Sequence, residues 1–390
     1  MSITDVEAQI RKVADKIKRD TGHAPGGRTK DQRVPNAGLS LAAAADPGVG
    51  GSWSAVTPTD VVPIFQAVLP NGKVLMWDSV GDGPAESYST HTFTRAMVWD
   101  PRTNTSVRRD VGGYNIFCAS YTQLADGRVL VAGGNRDSGL NGIVQTLLFD
   151  WRTESWSRGP NMASGRWYRS VAALGNDEAV IVGGGPAVPE VYQTNGTLRA
   201  LTGAPGCSAR VYPFLVPRPD GKVETVGPLH ATTTLDTSGA GAITARRTRD
   251  GLGRGYGTFA TLGTGKVLVA GGGTLTEDGQ TNVPTRTAVV VDVNGGTGVA
   301  PTGSMSVGRR QHNLTVLAHG SVLATGGQSR SVDGQVDLER PVFAAERWNP
   351  VTGTWTVPAG ASRVREYHSS ARCCPTGGCS PVAAASAATA

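Results

Sequence analysis

The same hairpin pattern recurs six times along this chain. Its clearest copy spans residues 117–135, where alternation toward Leu124 is followed by an Ala-Asp-Gly turn and a short apolar run that ends at Gly133 and Gly134. Alternation, a glycine-containing turn and a second apolar run predict a tight β-hairpin. Similar turns occur at residues 72–74, 177–180, 221–223, 265–267 and 320–322, and the copy at 177–180 is the most degenerate.

The spacing of these hairpins indicates what they build together. Neighbouring turns lie about 43 to 55 residues apart, as expected for four-stranded propeller blades of the kelch kind. Four units carry a Gly-Gly doublet after the second strand, where a tight turn leaves no room for a Cβ atom: Gly133-Gly134, Gly183-Gly184, Gly271-Gly272 and Gly326-Gly327. We predict an all-β fold, a seven-bladed kelch-like β-propeller whose seventh blade begins at Val364 and is incomplete, with a short N-terminal helix.

The sequence outside the repeats divides the chain further. Residues 1–20 place apolar side chains at alternating three- and four-residue steps, which predicts an amphipathic helix that docks on the body or on a partner. Residues 21–51 lack any period and are rich in Gly, Pro and Ala, as is typical of a flexible linker. The propeller is expected to occupy residues 52–371, with residues 51–56 as an outer strand paired with the last blade, and residues 372–390 form an aberrant tail.

Charge and cysteine content argue against several classes of partner. Lys and Arg number 37 against 31 Asp and Glu, a net charge of +6 that is not gathered into one basic run, so no nucleic acid partner is expected. The five cysteines have neither paired zinc spacing nor the density of a disulfide scaffold. No apolar run approaches the roughly 20 residues that span a bilayer, so no membrane partner is expected. The N-terminus shows no signal peptide, and the cellular location is left open.

Three short motifs carry the residues suited to chemistry. They are Asn-Ile-Phe-Cys at 115–118, Gly-Arg-Trp-Tyr-Arg-Ser at 165–170 and Arg-Val-Arg-Glu-Tyr-His-Ser-Ser at 363–370. Each comes at the start of the predicted innermost strand of its blade, just before a hairpin. Equivalent positions in a propeller converge on one end of the central axis, so the three motifs are expected to meet there.

Together the motifs resemble those of the copper radical oxidases, the galactose oxidase and glyoxal oxidase family. Cys118 follows a phenylalanine, as in the family's Phe-Cys, whose cysteine is joined by a thioether bond to a copper-binding tyrosine. Tyr168 ends an Arg-Trp-Tyr similar to the one that presents this tyrosine in glyoxal oxidases. Tyr367 and His368 resemble the family's Tyr-His pair of copper ligands. The likeness extends from about residue 52 to residue 371.

The resemblance implies a function and a role for each residue. Copper (Cu2+) would be bound by Tyr168, Tyr367 and His368, and such N and O donors suit Cu(II). A Cys118–Tyr168 thioether would hold a radical that abstracts hydrogen from an aldehyde, primary alcohol or carbohydrate, while Tyr367 accepts the hydroxyl proton. Dioxygen would then be reduced to H2O2. Trp167 would lie near the modified ring and shield the radical.

The same residues also have a purely structural interpretation. A single buried cysteine is usually an inert apolar side chain, and Trp-Tyr pairs are common on strands. The alternative function is a non-catalytic kelch-like propeller that binds a protein or a glycan. His312 starts an inner strand and could line the pocket. Five residues are placed at the pocket rim, with solvated surface positions as the alternative: Arg210, Tyr212, Arg254, Tyr256 and Arg310.

The repeat pattern fails after Ser370. The sequence at 371–375 and the alanine-rich tail show neither alternation nor an apolar inner strand. Restoring one base within the Arg372 codon permits Leu-Leu-Leu-Pro-Asp-Gly-Arg-Val-Leu, a hairpin like the others, so we infer a one-base deletion or a sequencing error. The family carries a second equatorial histidine on a C-terminal β-sandwich domain. The chain is therefore expected to be a truncated and impaired version of such an oxidase.

Overall fold

The fold is known from a computed structural model that describes residues 50–80, 93–137, 141–185, 188–207, 212–263, 265–273, 283–294, 298–330 and 340–373. The predicted N-terminal helix and the tail beyond residue 373 lie outside these residues. The regular elements of the described part are twenty-five β-strands, which confirms the all-β class. No helix in the described part is long and apolar enough to span a membrane.

The strands form six antiparallel sheets whose strands follow one another in chain order. The first sheet contains β1 (Phe65–Val68), β2 (Val74–Val80), β3 (Phe93–Asp100) and β4 (Thr105–Arg108), with β5 (Val111–Gly112) also paired to β3. The second contains β6 (Ser120–Gln123), β7 (Val129–Ala132), β8 (Thr146–Asp150) and β9 (Ser155–Arg158). The third contains β10 (Arg169–Ala173), β11 (Ala179–Gly183), β12 (Glu190–Tyr192) and β13 (Leu198–Ala200).

The remaining three sheets repeat this plan. The fourth contains β14 (Leu215–Pro217), β15 (Val223–Thr225), β16 (Ala231–Asp236) and β17 (Ala242–Thr248). The fifth contains β18 (Thr258–Leu262), β19 (Lys266–Ala270), β20 (Ala288–Asp292) and β21 (Val299–Thr302). The sixth contains β22 (Arg310–Val316), β23 (Val322–Gln328), β24 (Glu346–Trp348) and β25 (Trp355–Thr356).

The sheets are the blades of a β-propeller. The first strands of neighbouring sheets contact each other, β6 with β10, β10 with β14 and β18 with β22, so these strands surround the axis. Apolar clusters fill the space between blades: Leu75 of the first sheet packs with Val129 of the second, and Val216 of the fourth with Val269 of the fifth. The second strands are the most buried, whereas β4 and β9 at the rim are largely exposed.

The Gly-Gly doublets lie where the second strands pass the loops that lead into the first strands. A Cβ atom on Gly134 would lie 2.1 Å from the carbonyl oxygen of Asn115 in the same blade. One on Gly133 would lie 2.5 Å from the carbonyl oxygen of Arg166 in the next blade. Such approaches exclude any side chain, as the sequence predicts. The doublets therefore let each second strand pass between the loop of its own blade and that of its neighbour.

Six blades are present in the described residues, and the prediction of seven is corrected accordingly. Residues 364–373, expected to begin the seventh, lie between the first and sixth sheets. Ser370 donates through Oγ to the carbonyl of Pro63 at 2.6 Å, and Asn313 donates through Nδ2 to Ser369 Oγ at 3.1 Å. This segment is held largely by side-chain hydrogen bonds because the sequence after Ser370 lacks the apolar alternation that would pair further strands.

The segment at residues 51–56 is not the predicted outer strand. It contains no strand, but the indole Nε1 of Trp53 donates to the carbonyl of Ala359 at 2.7 Å, and the Ala359 amide donates to Gly50 at 2.9 Å. The segment therefore reaches the end of the sixth blade, through loop contacts and not through a ladder.

Candidate functional site

One unusual backbone conformation recurs just before or at the start of the first strands. In this conformation the residue has a positive φ, a region that most side chains avoid because the Cβ atom crowds the carbonyl. Five residues before or at first strands have it, Cys118 (φ 57°), Tyr168 (58°), Tyr212 (38°), Tyr256 (54°) and Gln311 (57°), and His368 (63°) repeats it in the segment after the sixth blade. Backbone bonds link three pairs of them, from Tyr168 to Cys118 at 3.3 Å, from Tyr212 to Tyr168 at 2.8 Å and from Gln311 to Tyr256 at 2.7 Å. The repeated kink places equivalent residues of successive blades side by side at one end of the axis.

Two tyrosines from distant parts of the sequence meet at this end. The hydroxyl oxygens of Tyr168 and Tyr367 lie 2.5 Å apart, although the residues are 199 positions apart in the chain. The segment that carries Tyr367 is fixed between the first and sixth blades, which brings it opposite the third blade. The two phenol oxygens thus converge on one point, as the motif positions predict.

Aromatic rings enclose the two phenols. Trp167 stacks on Tyr168 with ring centroids 3.5 Å apart and 11° between the planes, and Tyr212 stacks on Tyr168 at 4.6 Å and 30°. His368 stacks on Tyr367 at 3.7 Å, and the ring of Phe117 meets His368 edge-on at 4.9 Å. The ring of Tyr168 is therefore held by stacked neighbours, and the imidazole is held beside the second phenol.

Cys118 lies against Tyr168 in a small apolar cluster. This cluster contains Phe117, Cys118, Trp167 and Tyr168, and only 2% of Cys118 is exposed. The loop before it is fixed because the buried Asn115 accepts the amide of Phe117 on Oδ1 at 2.9 Å. The sulfur-bearing residue and the phenol are thus packed together, with the orientation of the cysteine set by its left-handed backbone.

Burial dominates the electrostatics of the site. It raises the pKa of Tyr168 well above the ordinary 10.0, with Cys118 and Tyr367 adding smaller increases. Burial also raises the pKa of Tyr367, with Tyr256 and Cys118 adding to it and the hydrogen bond from Tyr168 opposing it. For His368, burial lowers the pKa to about 3. At neutral pH the site therefore offers two protonated phenols and an uncharged imidazole.

This set of donors fits copper. Cu(II) takes N and O ligands, and an uncharged imidazole is the form of histidine that binds metals. The positive charge of a bound ion would offset the burial that keeps the phenols protonated. The described residues contain no group of three His, Cys, Asp or Glu side chains able to hold a metal. A copper site here would therefore use the phenols of Tyr168 and Tyr367 together with His368.

The other residues predicted to face the pocket divide into two groups. Tyr212 and Tyr256 do join the site, since Tyr256 meets Tyr367 edge-on at 6.1 Å and carries the guanidinium of Arg310 over its ring at 4.4 Å. Arg254 is held by an ion pair with Asp250 at 2.6 Å and is fully buried, so its rim placement is wrong. His312 is also buried, against Gly271. Arg210 lies outside the described residues.

Arg169 belongs to the site but was not predicted from the sequence. It follows Tyr168 directly and is fully buried, with Nη2 donating to the carbonyl of Cys118 at 2.7 Å. Its position in the sequence could have indicated this role, because Arg169 follows Tyr168 at the start of an inner strand. A long charged side chain at that position either reaches solvent along the propeller axis or is buried with hydrogen bonds to the backbone.

Comparison with known proteins supports the resemblance. Two galactose oxidases from Gibberella zeae, one of them from strain PH-1, are each 29% identical over 371 residues that include 86% of this chain. A fungal alcohol oxidase of the AA5 family, solved in complex with copper, matches with a TM-score of 0.74 and 22% identity over 83% of this chain and 70% of its own. No family model matches the chain.

These matches confirm the family resemblance that the three motifs indicate. The chain is similar to galactose oxidase over most of its length, and the structural match shows that its fold is that of the copper-bound alcohol oxidase. The chain spans about half the length of the galactose oxidases that it matches, 52% of each.

Proposed function

We propose that this homologue of galactose oxidase carries the copper and radical site of an oxidase that converts a primary alcohol or an aldehyde with dioxygen and releases H2O2. The observation that carries the proposal is the meeting of Tyr168 and Tyr367, 2.5 Å apart, beside a buried cysteine and an uncharged imidazole. A binding module has no need to bring two phenols and a cysteine together in an apolar enclosure. Both galactose oxidase relatives and the copper-bound alcohol oxidase agree with this assignment.

Each residue of the site has a task in this reaction. Copper, when bound by Tyr168, Tyr367 and His368, would supply one-electron chemistry with dioxygen. Tyr168, joined to Cys118 by a thioether bond, would take a hydrogen atom from the reacting carbon of the substrate. Tyr367 would accept the proton of the substrate hydroxyl. A bound Cu(II) ion would favour the phenolate form of Tyr367, which is the form that can accept this proton.

The surroundings of Tyr168 suit a radical. Trp167 and Tyr212 stack on its ring, and the cluster around Cys118 is apolar. Exclusion of water protects a reactive intermediate from side reactions. Tyr256 and Arg310 lie on the Tyr367 side, where a phenol and a guanidinium can orient a polar substrate such as an alcohol, an aldehyde or a carbohydrate.

The proposal is tested by oxygen consumption and peroxide release after copper is added, with galactose, glyoxal and methylglyoxal as substrates. We expect Tyr168→Phe to abolish turnover and Tyr367→Phe to lower it by roughly 10²- to 10⁴-fold, the usual contribution of a positioned acid or base. Tyr192→Phe is the matched control, because Tyr192 is also buried but packs among apolar residues between the second and third blades. Turnover that Tyr168→Phe leaves intact would contradict the proposal.

A further inference from the structure

Arg169 is a fully buried cation directly behind the site. Its Nη1 donates to the carbonyl of Arg166 at 2.5 Å and its Nη2 to the carbonyl of Cys118 at 2.7 Å. These two carbonyls belong to different blades, one in the motif that presents Tyr168 and the other at the cysteine. The guanidinium therefore bridges the two backbones that carry the reacting side chains.

The partners of Arg169 differ from those of two other fully buried arginines near the axis. Arg166 pairs with Glu190 at 2.9 Å and Arg309 pairs with Glu346 at 2.5 Å. Among the residues that the structure describes, Arg169 forms no ion pair with a carboxylate. Burying a cation without an anion is costly, so a cation kept here for stability alone would be expected to carry a carboxylate partner, as Arg166 and Arg309 do.

The backbone of the second blade leaves room for the side chain of Arg169. A Cβ atom on Gly133 would lie 1.7 Å from Nη1 of Arg169, closer than any two such atoms can approach. Only glycine at this point of the second blade leaves the guanidinium a path from β10 to the carbonyl of Cys118. Gly133 of the second blade, which has no side chain, thus complements the long side chain of Arg169 on the third blade.

We propose that Arg169 is a positioning residue that holds Cys118 against Tyr168 so that the thioether bond between them can form. The inference rests on the proposed function. The carbonyl of Cys118 accepts both the guanidinium and, at 3.3 Å, the amide of Tyr168. With its carbonyl fixed and its φ at 57°, the direction of the Cα–Cβ bond of Cys118, from which its sulfur extends, is set.

The bond-forming step places strict demands on this geometry. The Cys118 sulfur loses its hydrogen, the ring carbon ortho to the Tyr168 hydroxyl loses another, and a carbon–sulfur bond replaces both. Dioxygen is the oxidant, and it accepts the two hydrogens and their electrons to become H2O2. A displacement of about 1 Å of a reacting atom can slow a reaction by roughly 100-fold, so a clamp on the cysteine backbone controls the rate.

The test is the rate at which the cross-linked peptide appears after copper is added to the copper-free protein in air. Arg169→Gln removes the charge and shortens the reach, and Arg169→Lys keeps the charge but cannot bridge two carbonyls with a planar fork. We expect either change to slow cross-linking by roughly 10- to 100-fold. Arg309→Lys is the matched control, since Arg309 is equally buried and also donates to carbonyls, but in the sixth blade away from Cys118.

A second measurement, the copper affinity, distinguishes a specific effect on the position of Cys118 from a general loss of structure at the site. Arg169 donates to no side-chain ligand atom, so the copper affinity of the folded variants should stay within about twofold of the unchanged chain. Should Arg169→Gln not fold, Arg169→Lys gives the same comparison. Cross-linking at an unchanged rate in a folded Arg169 variant overturns the inference alone, and so does an equal slowing in Arg309→Lys. A wild-type chain that never forms the bond would contradict the proposed function as well.

Discussion

His312 shows how strongly burial governs single residues in this molecule. It lies at the interface of the fifth and sixth blades, and both ring nitrogens lack a hydrogen-bond partner among the described residues. Burial, with Arg309 and Arg254 nearby, lowers the pKa of His312 well below 6.5. Below pH 6.5 the unfolded chain therefore takes up a proton that the folded chain does not. The free energy of unfolding falls as the pH falls, by about 1 kcal/mol between pH 6.5 and 5.5 and by about 1.4 kcal/mol for each further pH unit. We expect His312→Leu to remove this slope between pH 6.5 and 5.5, as measured by urea unfolding. A variant with the wild-type slope would show that His312 takes up a proton in the folded state.

At the scale of one element, the Gly-Gly doublet of β23 fixes the segment that carries Tyr367 and His368. A Cβ atom on Gly326 would lie 2.4 Å from the carbonyl oxygen of Arg365, to which the amide of Gly327 donates at 2.6 Å. Gly326→Ala should displace this segment, so that copper affinity falls by about tenfold or more along with stability. Gly320→Ala is the control, because Gly320 shares a positive φ but has open space around it, and we expect it to cost about 1 to 2 kcal/mol without a change in copper affinity. Equal copper affinities of Gly326→Ala and Gly320→Ala in a copper titration would show that the doublet does not position the ligands.

At the scale of the whole molecule, the repeats made most of the fold predictable. A hairpin that recurs at a fixed spacing has the same local solution each time, and apolar second strands such as β7 and β11 must be buried between neighbours. The meeting of Tyr168 and Tyr367 also followed from sequence, because equivalent positions in a propeller converge. The prediction of a seventh blade was wrong, because residues 364–373 form no sheet of their own and are held by hydrogen bonds to Pro63, Asn313 and Gly327 that no periodicity encodes.

The role of individual arginines lay beyond the sequence for a related reason. Arg166 and Arg169 stand three positions apart in one motif, yet the first pairs with Glu190 and the second with the carbonyl of Cys118. Arg254 looks like a rim residue in sequence but is buried with Asp250. Which partner an arginine finds depends on the packing of blades against each other, and that information is absent from the local pattern.

The state of Cys118 and Tyr168 tests the central claim most directly. The copper-loaded protein, kept in air and then digested, should yield by mass spectrometry one species in which the peptides of Cys118 and Tyr168 are joined, with two hydrogens lost. Copper-free protein prepared in parallel should yield them separately, and Cys207, which is equally buried but packs among apolar residues of the third and fourth blades, should stay unmodified in both. Two separate, unmodified peptides from the copper-loaded sample would contradict the radical site and favour a propeller that only binds a protein or a glycan.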